Sequence, residues 1–98
     1  MSTSEPRRFE VRLLSRRVSR ELDALWEPDL ERVMAVLQGL SIEPRPAGCE
    51  KLRDNIFRVR VGGQRIIYRV DERSHRIDVG GIKRRSEQTD KRLDDLFG

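Results

Sequence analysis

The sequence predicts an α+β domain of order β-α-α-β-β-β-α, with two helices packed on a twisted, mostly antiparallel sheet and a helix at the C-terminus. Three observations lead to this fold class. Apolar and charged residues alternate with the period of a strand near the N-terminus and again in the middle of the chain. Between these stretches, apolar residues recur with the spacing of two amphipathic helices. A Gly-Gly pair then separates two central strands, as in a tight hairpin.

The N-terminal part of the sequence predicts one strand and two helices. Residues 8–14 alternate between apolar and charged, which is typical of a half-buried strand, and residues 1–6 are expected to be a frayed start. Ser15 can cap a first helix, and Pro28 can begin a second helix that Gly39 ends. The predicted apolar stripes are Val18, Leu22 and Leu25 in the first helix and Leu30, Val33, Met34 and Leu37 in the second.

The central hairpin covers residues 56–70, which read IFRVRVGGQRIIYRV. Successive side chains of a strand point to opposite faces, so the apolar residues of the first strand share one face and Arg58 and Arg60 share the other. Gly62 and Gly63 suit the positive φ values that a two-residue turn demands. The hairpin therefore presents guanidinium groups on the face that does not enter the core.

Shorter elements flank the hairpin. Residues 49–53 predict a short strand that leads into it, and residues 76–82 predict a last strand whose two terminal glycines allow another segment to approach closely. A final helix capped by Ser86 ends the chain. Between the last strand and this helix we expect a basic turn of Lys83, Arg84 and Arg85.

Charge is distributed unevenly along the 98 residues, whose formal net charge is +4. Residues 51–70 contain six basic residues and one acid, whereas residues 21–40 contain five acids and one base. The basic charge thus belongs to the strands and the acidic charge to the helices. This pattern predicts one cationic sheet face, and such a face favours polyanionic partners.

Composition argues against several functional classes. One Cys and one His provide neither a disulfide nor a typical zinc site, so we expect no metal and no cofactor. No apolar run is long enough to predict a membrane span, and the single cysteine fits a reduced, cytoplasmic setting. The length fits a single domain over residues 1–98.

The segment PAGCEKLRDNIFRVRVGGQRIIYRVDE resembles the core of the RelE/ParE toxin superfamily of type II toxin–antitoxin systems. The later segment IDVGGIKRRSEQTDKRL is similar to that family's final strand, basic turn and C-terminal helix. Together these segments carry the elements KLR, GGQRIIY and KRR in the family's order. The resemblance implies the family fold of two helices on a twisted sheet.

The resemblance also implies an activity and its residues. RelE-like members are ribosome-dependent mRNA endonucleases, and a cognate antitoxin protein neutralises them. The implied partners are therefore an antitoxin and mRNA on the ribosome. The implied catalytic residues are Arg58, Arg60, Arg65, Arg84 and Arg85, and the residues implied to contact the substrate are Lys51, Arg53, Lys83 and Asp90. The sequence leaves open which residue of the basic turn faces the phosphate.

Metal-free RNA cleavage gives these residue types a physical role. The 2′-OH attacks the adjacent phosphate, and negative charge accumulates in the transition state. Fixed guanidinium groups stabilise that charge, at about 3 kcal/mol for one well-placed donor. Arginine is a poor base because its pKa exceeds ~12. The substrate, the ribosome or clustered basic groups are therefore expected to supply part of the proton transfer.

Asp90 marks a departure from the family pattern. The family often has a tyrosine near the start of the final helix, where this chain reads RRSEQTDKRL. A carboxylate repels phosphate, whereas a tyrosine stacks on a base or assists proton transfer. We therefore hypothesise that Asp90 attenuates the activity.

Two other functions remain open from the sequence. A ParE-like protein inhibits DNA gyrase, and the arginines would then form a protein-contact surface. A non-catalytic RNA-binding module would use the same charges without cleavage. A purely structural or solvating role for the arginines is the third possibility.

Overall fold

The computed structural model describes residues 8–84 and 93–97. The expectations for a frayed start, for the Ser86 cap, and for Arg85 and Asp90 lie outside these residues. The described elements are β1 (Glu10–Leu13), α1 (Arg16–Asp23), α2 (Asp29–Leu40), β2 (Glu50–Arg53), β3 (Ile56–Val61), β4 (Gln64–Asp71), β5 (Arg76–Arg84) and α3 (Leu93–Phe97).

The strands form one five-stranded sheet in the order β1-β5-β4-β3-β2. The β2–β3, β3–β4 and β4–β5 pairs are antiparallel, and β1 runs parallel to β5. The predicted α+β class and the mostly antiparallel sheet are confirmed. The short strand expected at residues 49–53 is present as β2. It adds one strand to the expected order, which becomes β-α-α-β-β-β-β-α.

Local signals position the helices as expected. Ser15 is the N-cap of α1, and its Oγ accepts a hydrogen bond from the Val18 backbone N–H at 3.5 Å. Pro28 immediately precedes α2, whose first turn carries Asp29 and Glu31. That helix continues one residue past Gly39 and ends at Leu40.

The main core lies between the helix pair and one face of the sheet, which we call the helix face. Ile66, Ile77 and Val79 are fully buried there, and Val18 and Val33 from the helices are also fully buried. Complete burial of such a side chain stabilises the fold by about 1.5–3 kcal/mol. The core is aliphatic apart from a few aromatic residues. Tyr68 is one of these, and its hydroxyl donates to the Pro44 carbonyl at 2.8 Å.

A smaller cluster lies on the opposite face of the sheet. There, Leu93 of α3 packs on Ile56 and Ile67, with Leu96 and Phe97 beside them. Gly80 permits this docking, because a Cβ at that position would lie 2.6 Å from Phe97 ring atoms. The close approach that the Gly-Gly pair predicts is therefore the approach of α3 to β5.

The hairpin turn consists of Gly62 and Gly63, as the sequence predicts. Gly62 has a φ of +58°, whereas Gly63 is not in the positive-φ region. A Cβ at Gly62 would also lie 2.7 Å from Oδ1 of Asp29. This glycine is thus required both by the turn and by the proximity of α2.

Candidate functional site

Strand alternation places the central arginines on the face away from the helix pair. Phe57, Val59 and Val61 of β3 pack into the main core, so the alternating Arg58 and Arg60 point to the opposite face. In β4, Ile66 and Tyr68 enter the core, so Arg65 also points away from it. We call this opposite side of the sheet the cation face. The two long helices do not cover it.

Three cations lie in one row across adjacent strands of this face. Arg60 of β3 is in register with Arg65 of β4, and Arg65 is in register with Lys83 of β5. Side chains directly opposite in neighbouring strands have Cβ atoms about 5 Å apart. We call these three residues the cation row. Like charges in such positions repel each other, and the carboxylate of Glu21 offsets the charge of Lys83.

A β-bulge at Gly80 brings Lys83 into the cation row. The register pairs Tyr68 with Val79 and Ile67 with Gly81, so Gly80 is an extra residue on β5. The extra residue reverses the facing of the positions that follow it. Lys83 consequently turns to the cation face, while Ile82 enters the main core.

The same bulge turns Arg84 away from the row. Arg84 faces the helix side, where it lines a cavity together with residues of α1 and of the α1–α2 connection. Lys83 and Arg84 also belong to β5 and not to a turn after it, because the strand continues to Arg84. The expected grouping of Arg84 with the other arginines on one face is therefore not found.

Arg58 occupies the row next to the cation row and is held by a carboxylate. Its side chain is 11% exposed, and its Nη2 donates to Oε1 of Glu50 on β2 at 3.0 Å. The Glu50 side chain is 52% exposed, so a ligand can reach it. The pair places an accessible carboxylate beside a fixed guanidinium on the cation face.

Lys83 is fixed by α1. Its ammonium group contacts the carboxylate of Glu21, whose Oε1 also accepts the Ile82 backbone N–H at 2.9 Å. Arg17 binds the same carboxylate at 3.1 Å and donates to the Gly80 carbonyl at 2.9 Å. These contacts satisfy β5 backbone groups beyond the last residue of β1. Glu21 and Arg17 thus hold the end of β5, and with it one member of the cation row.

The remaining candidates from the sequence are more distant from the row. Arg53 lies at the end of β2 and forms an ion pair with Asp94 of α3. Lys51 is exposed on the same edge strand, in register with Phe57 of the helix face. Arg85 and Asp90 are outside the described residues.

Helix α3 covers the part of the cation face next to the row. It packs on Ile56 and Ile67, and the Phe97 ring lies 5.3 Å from the guanidinium of Arg69. Arg60 remains exposed, and Arg65 is half-buried. Within residues 8–84 and 93–97, the cation row therefore lies between α3 and the Gly62–Gly63 turn of the hairpin.

Sequence reasoning missed two acidic residues of this region, Glu21 and Glu50. Glu50 lies eight residues from Arg58 on another strand and Glu21 lies 62 residues from Lys83, so no local spacing connects either carboxylate with its partner on the cation face. Glu50 has one weak signal, because it belongs to the short strand that the sequence predicts to lead into the hairpin. Glu21 lies four residues after Arg17 on the first helix, and this spacing predicts their ion pair but not the contacts of Glu21 with β5.

The chemistry of the site is that of positive charge with one adjacent carboxylate. Tyr68 is not available as a base, because burial and the neighbouring Cys49 raise the pKa of its hydroxyl above the usual value. Among residues 8–84 and 93–97, no group of His, Cys, Asp and Glu side chains could hold a metal ion. Within the same residues, no helix is both long and apolar enough to span a bilayer. An anion such as a phosphodiester matches the cation row in charge.

Comparison with solved structures finds the same fold in RelE toxin structures. A chain of the RelBE2 toxin–antitoxin complex from Mycobacterium tuberculosis is 26% identical, with a TM-score of 0.67, covering 80% of this chain and 99% of that chain. A chain of the archaeal RelE–RelB complex from Pyrococcus horikoshii is 24% identical, with a TM-score of 0.73 and coverages of 81% and 97%. The isolated E. coli RelE toxin is 16% identical, with a TM-score of 0.68 and coverages of 90% and 98%.

The likeness is clearer in three dimensions than in sequence. No protein-family model matches the chain, and no curated protein sequence matches it significantly. The solved structures match over most of both chains. The chain has a RelE-like toxin fold.

Proposed function

We propose that this protein is the toxin of a type II toxin–antitoxin system and cuts mRNA on the ribosome. The observation that carries the proposal is the cation row, in which Arg60, Arg65 and Lys83 from adjacent strands share one face of the sheet. The RelE-like fold supports the class of protein. Two of the similar structures are complexes, the RelBE2 toxin–antitoxin complex and the archaeal RelE–RelB complex, and this supports a cognate antitoxin as partner.

In this proposal the cation row binds the scissile phosphate. The 2′-OH of the preceding nucleotide attacks phosphorus to form a 2′,3′-cyclic phosphate, and the bond to the 5′-oxygen breaks as that oxygen takes a proton from water. The row then faces the charge that builds up on the phosphoryl oxygens. Removal of one such preorganised donor typically costs 10²–10³-fold in rate. Arg58 lies two residues before Arg60 on β3, on the same face, and its guanidinium adds to the positive potential beside the cation row.

We assign Glu50 as the acceptor of the 2′-OH proton. It is the carboxylate that the described structure pairs with Arg58, and its side chain is exposed on the cation face. General base catalysis by a positioned side chain contributes about 10²–10⁴-fold. Glu50→Gln keeps the shape and the hydrogen bond to Arg58 but cannot accept a proton, so it should reduce cleavage by at least about 10²-fold. Unchanged cleavage by this variant would remove Glu50 from the mechanism.

Primer extension on mRNA in a translating extract tests the activity. The wild-type protein should produce cuts at defined codon positions that disappear when ribosomes are omitted. Arg60→Ala and Arg65→Ala should each lower the cutting rate by about 10²-fold or more. Arg73→Ala is the matched control, because Arg73 is exposed in the turn between β4 and β5. A DNA gyrase supercoiling assay run in parallel identifies the alternative activity, and inhibition there without any mRNA cut would contradict the proposal.

The Asp90 hypothesis is tested separately. If the carboxylate attenuates cleavage, Asp90→Tyr should speed up both mRNA cutting and growth arrest on induction. Asp90→Asn removes the charge without adding a ring, and so separates repulsion of phosphate from loss of stacking. If neither variant gains activity, Asp90 does not attenuate this protein.

A further inference from the structure

The cavity lined by Arg84 lies on the helix face, at the Gly62–Gly63 end of the hairpin. Its volume is about 350 Å³, and it is formed between the end of α1, the α1–α2 connection and the ends of β4 and β5. The lining residues are Glu21, Ala24, Leu25, Trp26, Asp29, Gln64, Ile82 and Arg84. This combination of an aromatic ring, two carboxylates, an amide and a cation is unlike the apolar core beneath it.

Trp26 is at the rim of this cavity and is 85% exposed. It is the only tryptophan of the chain. A ring so exposed contributes little to the core, and its apolar face is left in water. Exposed aromatic rings beside positive charge are typical platforms for unstacked nucleobases, because every base has a π face to stack on the ring.

The wall of the cavity provides hydrogen-bond acceptors. Oδ2 of Asp29 accepts the side-chain amide of Gln64 at 3.3 Å. A carboxylate has about four acceptor positions, so Asp29 retains capacity for further donors. Glu21, by contrast, is already engaged by the Ile82 backbone and by Lys83. The cavity therefore suits a base edge that offers two donors to one carboxylate, as the N1–H and N2–H groups of guanine do.

The cavity and the cation row share the same end of the sheet. Gln64 and Arg65 are consecutive in β4, and Lys83 and Arg84 are consecutive in β5, with Gln64 in register with Arg84 and Arg65 with Lys83. Consecutive strand residues face opposite sides. One member of each pair therefore belongs to the row and the other to the cavity. The row and the cavity thus lie on opposite faces at the same end of β4 and β5, so an RNA strand that contacts both must cross that end of the sheet.

We propose that this cavity is a base-binding site for single-stranded RNA with a preference for guanine. Trp26 stacks on the base, Asp29 accepts hydrogen bonds from its donor edge, and Arg84 binds the neighbouring phosphate. The site lies on the face opposite the cation row and would contribute to sequence preference, not to the chemical step. The proposal rests on the proposed RNA substrate of the protein.

The single tryptophan makes the site directly observable. Isolated protein is titrated with the pentanucleotides UUGUU, UUAUU, UUCUU and UUUUU while tryptophan fluorescence is recorded. We expect quenching by UUGUU at a concentration at least about fivefold lower than by the other three. Asp29→Asn should remove this preference while quenching persists. Arg84→Ala should lower the slope of log Kd against log salt by about 0.7, the value for one phosphate on a single strand.

Binding is also measured by anisotropy of fluorescein-labelled UUGUU, so that Trp26 itself can be replaced. Trp26→Ala should weaken binding by about 5- to 140-fold, the range for loss of one stacked base. Arg73→Ala removes the same charge as Arg84→Ala but at a distant exposed position, so it should leave the guanine preference unchanged. Circular dichroism confirms that each variant is folded.

The outcomes separate this proposal from the proposed activity. Quenching with a guanine preference in protein that cuts no mRNA would support the site and contradict the nuclease. Equal binding of all four oligonucleotides, lost together as salt rises, would reflect the net charge alone and would overturn the site. Anisotropy binding without any change in Trp26 fluorescence would also overturn it, because the RNA would then lie elsewhere.

Discussion

The two faces of the sheet differ in how they use the same strand alternation. The helix face contributes fully buried apolar residues such as Ile66 and Val79 to one continuous core. The cation face has only a small apolar cluster under α3, and its remaining positions are largely arginine. Stability therefore depends mainly on one face. The other face is available for binding, at the cost of charge repulsion.

The cation face itself has two unlike ends. At the end near the β4–β5 turn, Arg69 and Arg76 bind the buried carboxylate of Asp78 at 2.8 and 3.0 Å. At the hairpin end, Arg60 and Arg65 lie directly opposite each other. At the first end the guanidinium groups share a buried carboxylate, whereas at the hairpin end two guanidinium groups lie opposite each other on neighbouring strands.

Adjacent residues of β4 give the strongest test of the difference between the faces. Ile66 is fully buried in the main core, and Arg65 beside it points to the cation face. Ile66→Ala should lower the free energy of unfolding by about 2–5 kcal/mol. Arg65→Ala should change it by less than about 1 kcal/mol, or raise it slightly as repulsion with Arg60 is relieved. Urea denaturation measures the free energy of unfolding of both variants. Equal losses would show that the cation face stabilises the fold as much as the helix face does.

The docking of α3 provides the next largest effect. A Cβ at Gly80 would approach the Phe97 ring to 2.6 Å, so Gly80→Ala should force the ring away and cost about 1–3 kcal/mol in unfolding. Gly39 is the control, because nothing lies within 4 Å of its Cβ position in α2. Gly39→Ala should stabilise the protein by about 0.5–1 kcal/mol. A neutral Gly80→Ala would mean that α3 does not rest on β5 in solution.

The smallest expected effect on stability is at the end of the cation face near the β4–β5 turn, where arginines are paired with acids. Hydrogen bonds from Ser74 and then the charge of Arg76 hold the pKa of Asp71 below its usual 3.8. Because the folded-state pKa is lowered, the resulting stability is present above about pH 4 and is lost as pH falls through the folded value. Asp71→Asn should therefore be less stable than wild type at pH 6, with the gap closing towards pH 3. A gap of constant size in urea denaturation across this range would contradict the assigned cause.

Local patterns in the sequence predict most of this fold. The alternation in residues 56–70 and the Gly-Gly turn are local properties, so the hairpin and the facing of Arg58, Arg60 and Arg65 follow directly. The Ser15 cap and Pro28 likewise mark the helix starts. These features depend on neighbours in sequence and need no knowledge of distant contacts.

The last strand shows where sequence reasoning stops. Strict alternation from Ile77 and Val79 would place Arg84 on the cation face and Lys83 on the helix face. The bulge at Gly80 reverses both positions. The bulge depends on pairing with β4 and on the approach of Phe97, and neither contact is visible in a local pattern. The partners Glu21 and Glu50 were missed for the same reason.

The most direct test of the cation row replaces two of its charges at once. The double variant Arg60→Gln, Arg65→Gln is compared with wild type for mRNA cutting in a translating extract and for its free energy of unfolding. We expect cutting to fall by at least about 10³-fold, with unfolding unchanged or slightly more difficult. Cutting at the wild-type rate by a folded double variant would contradict the phosphate-binding role of the row.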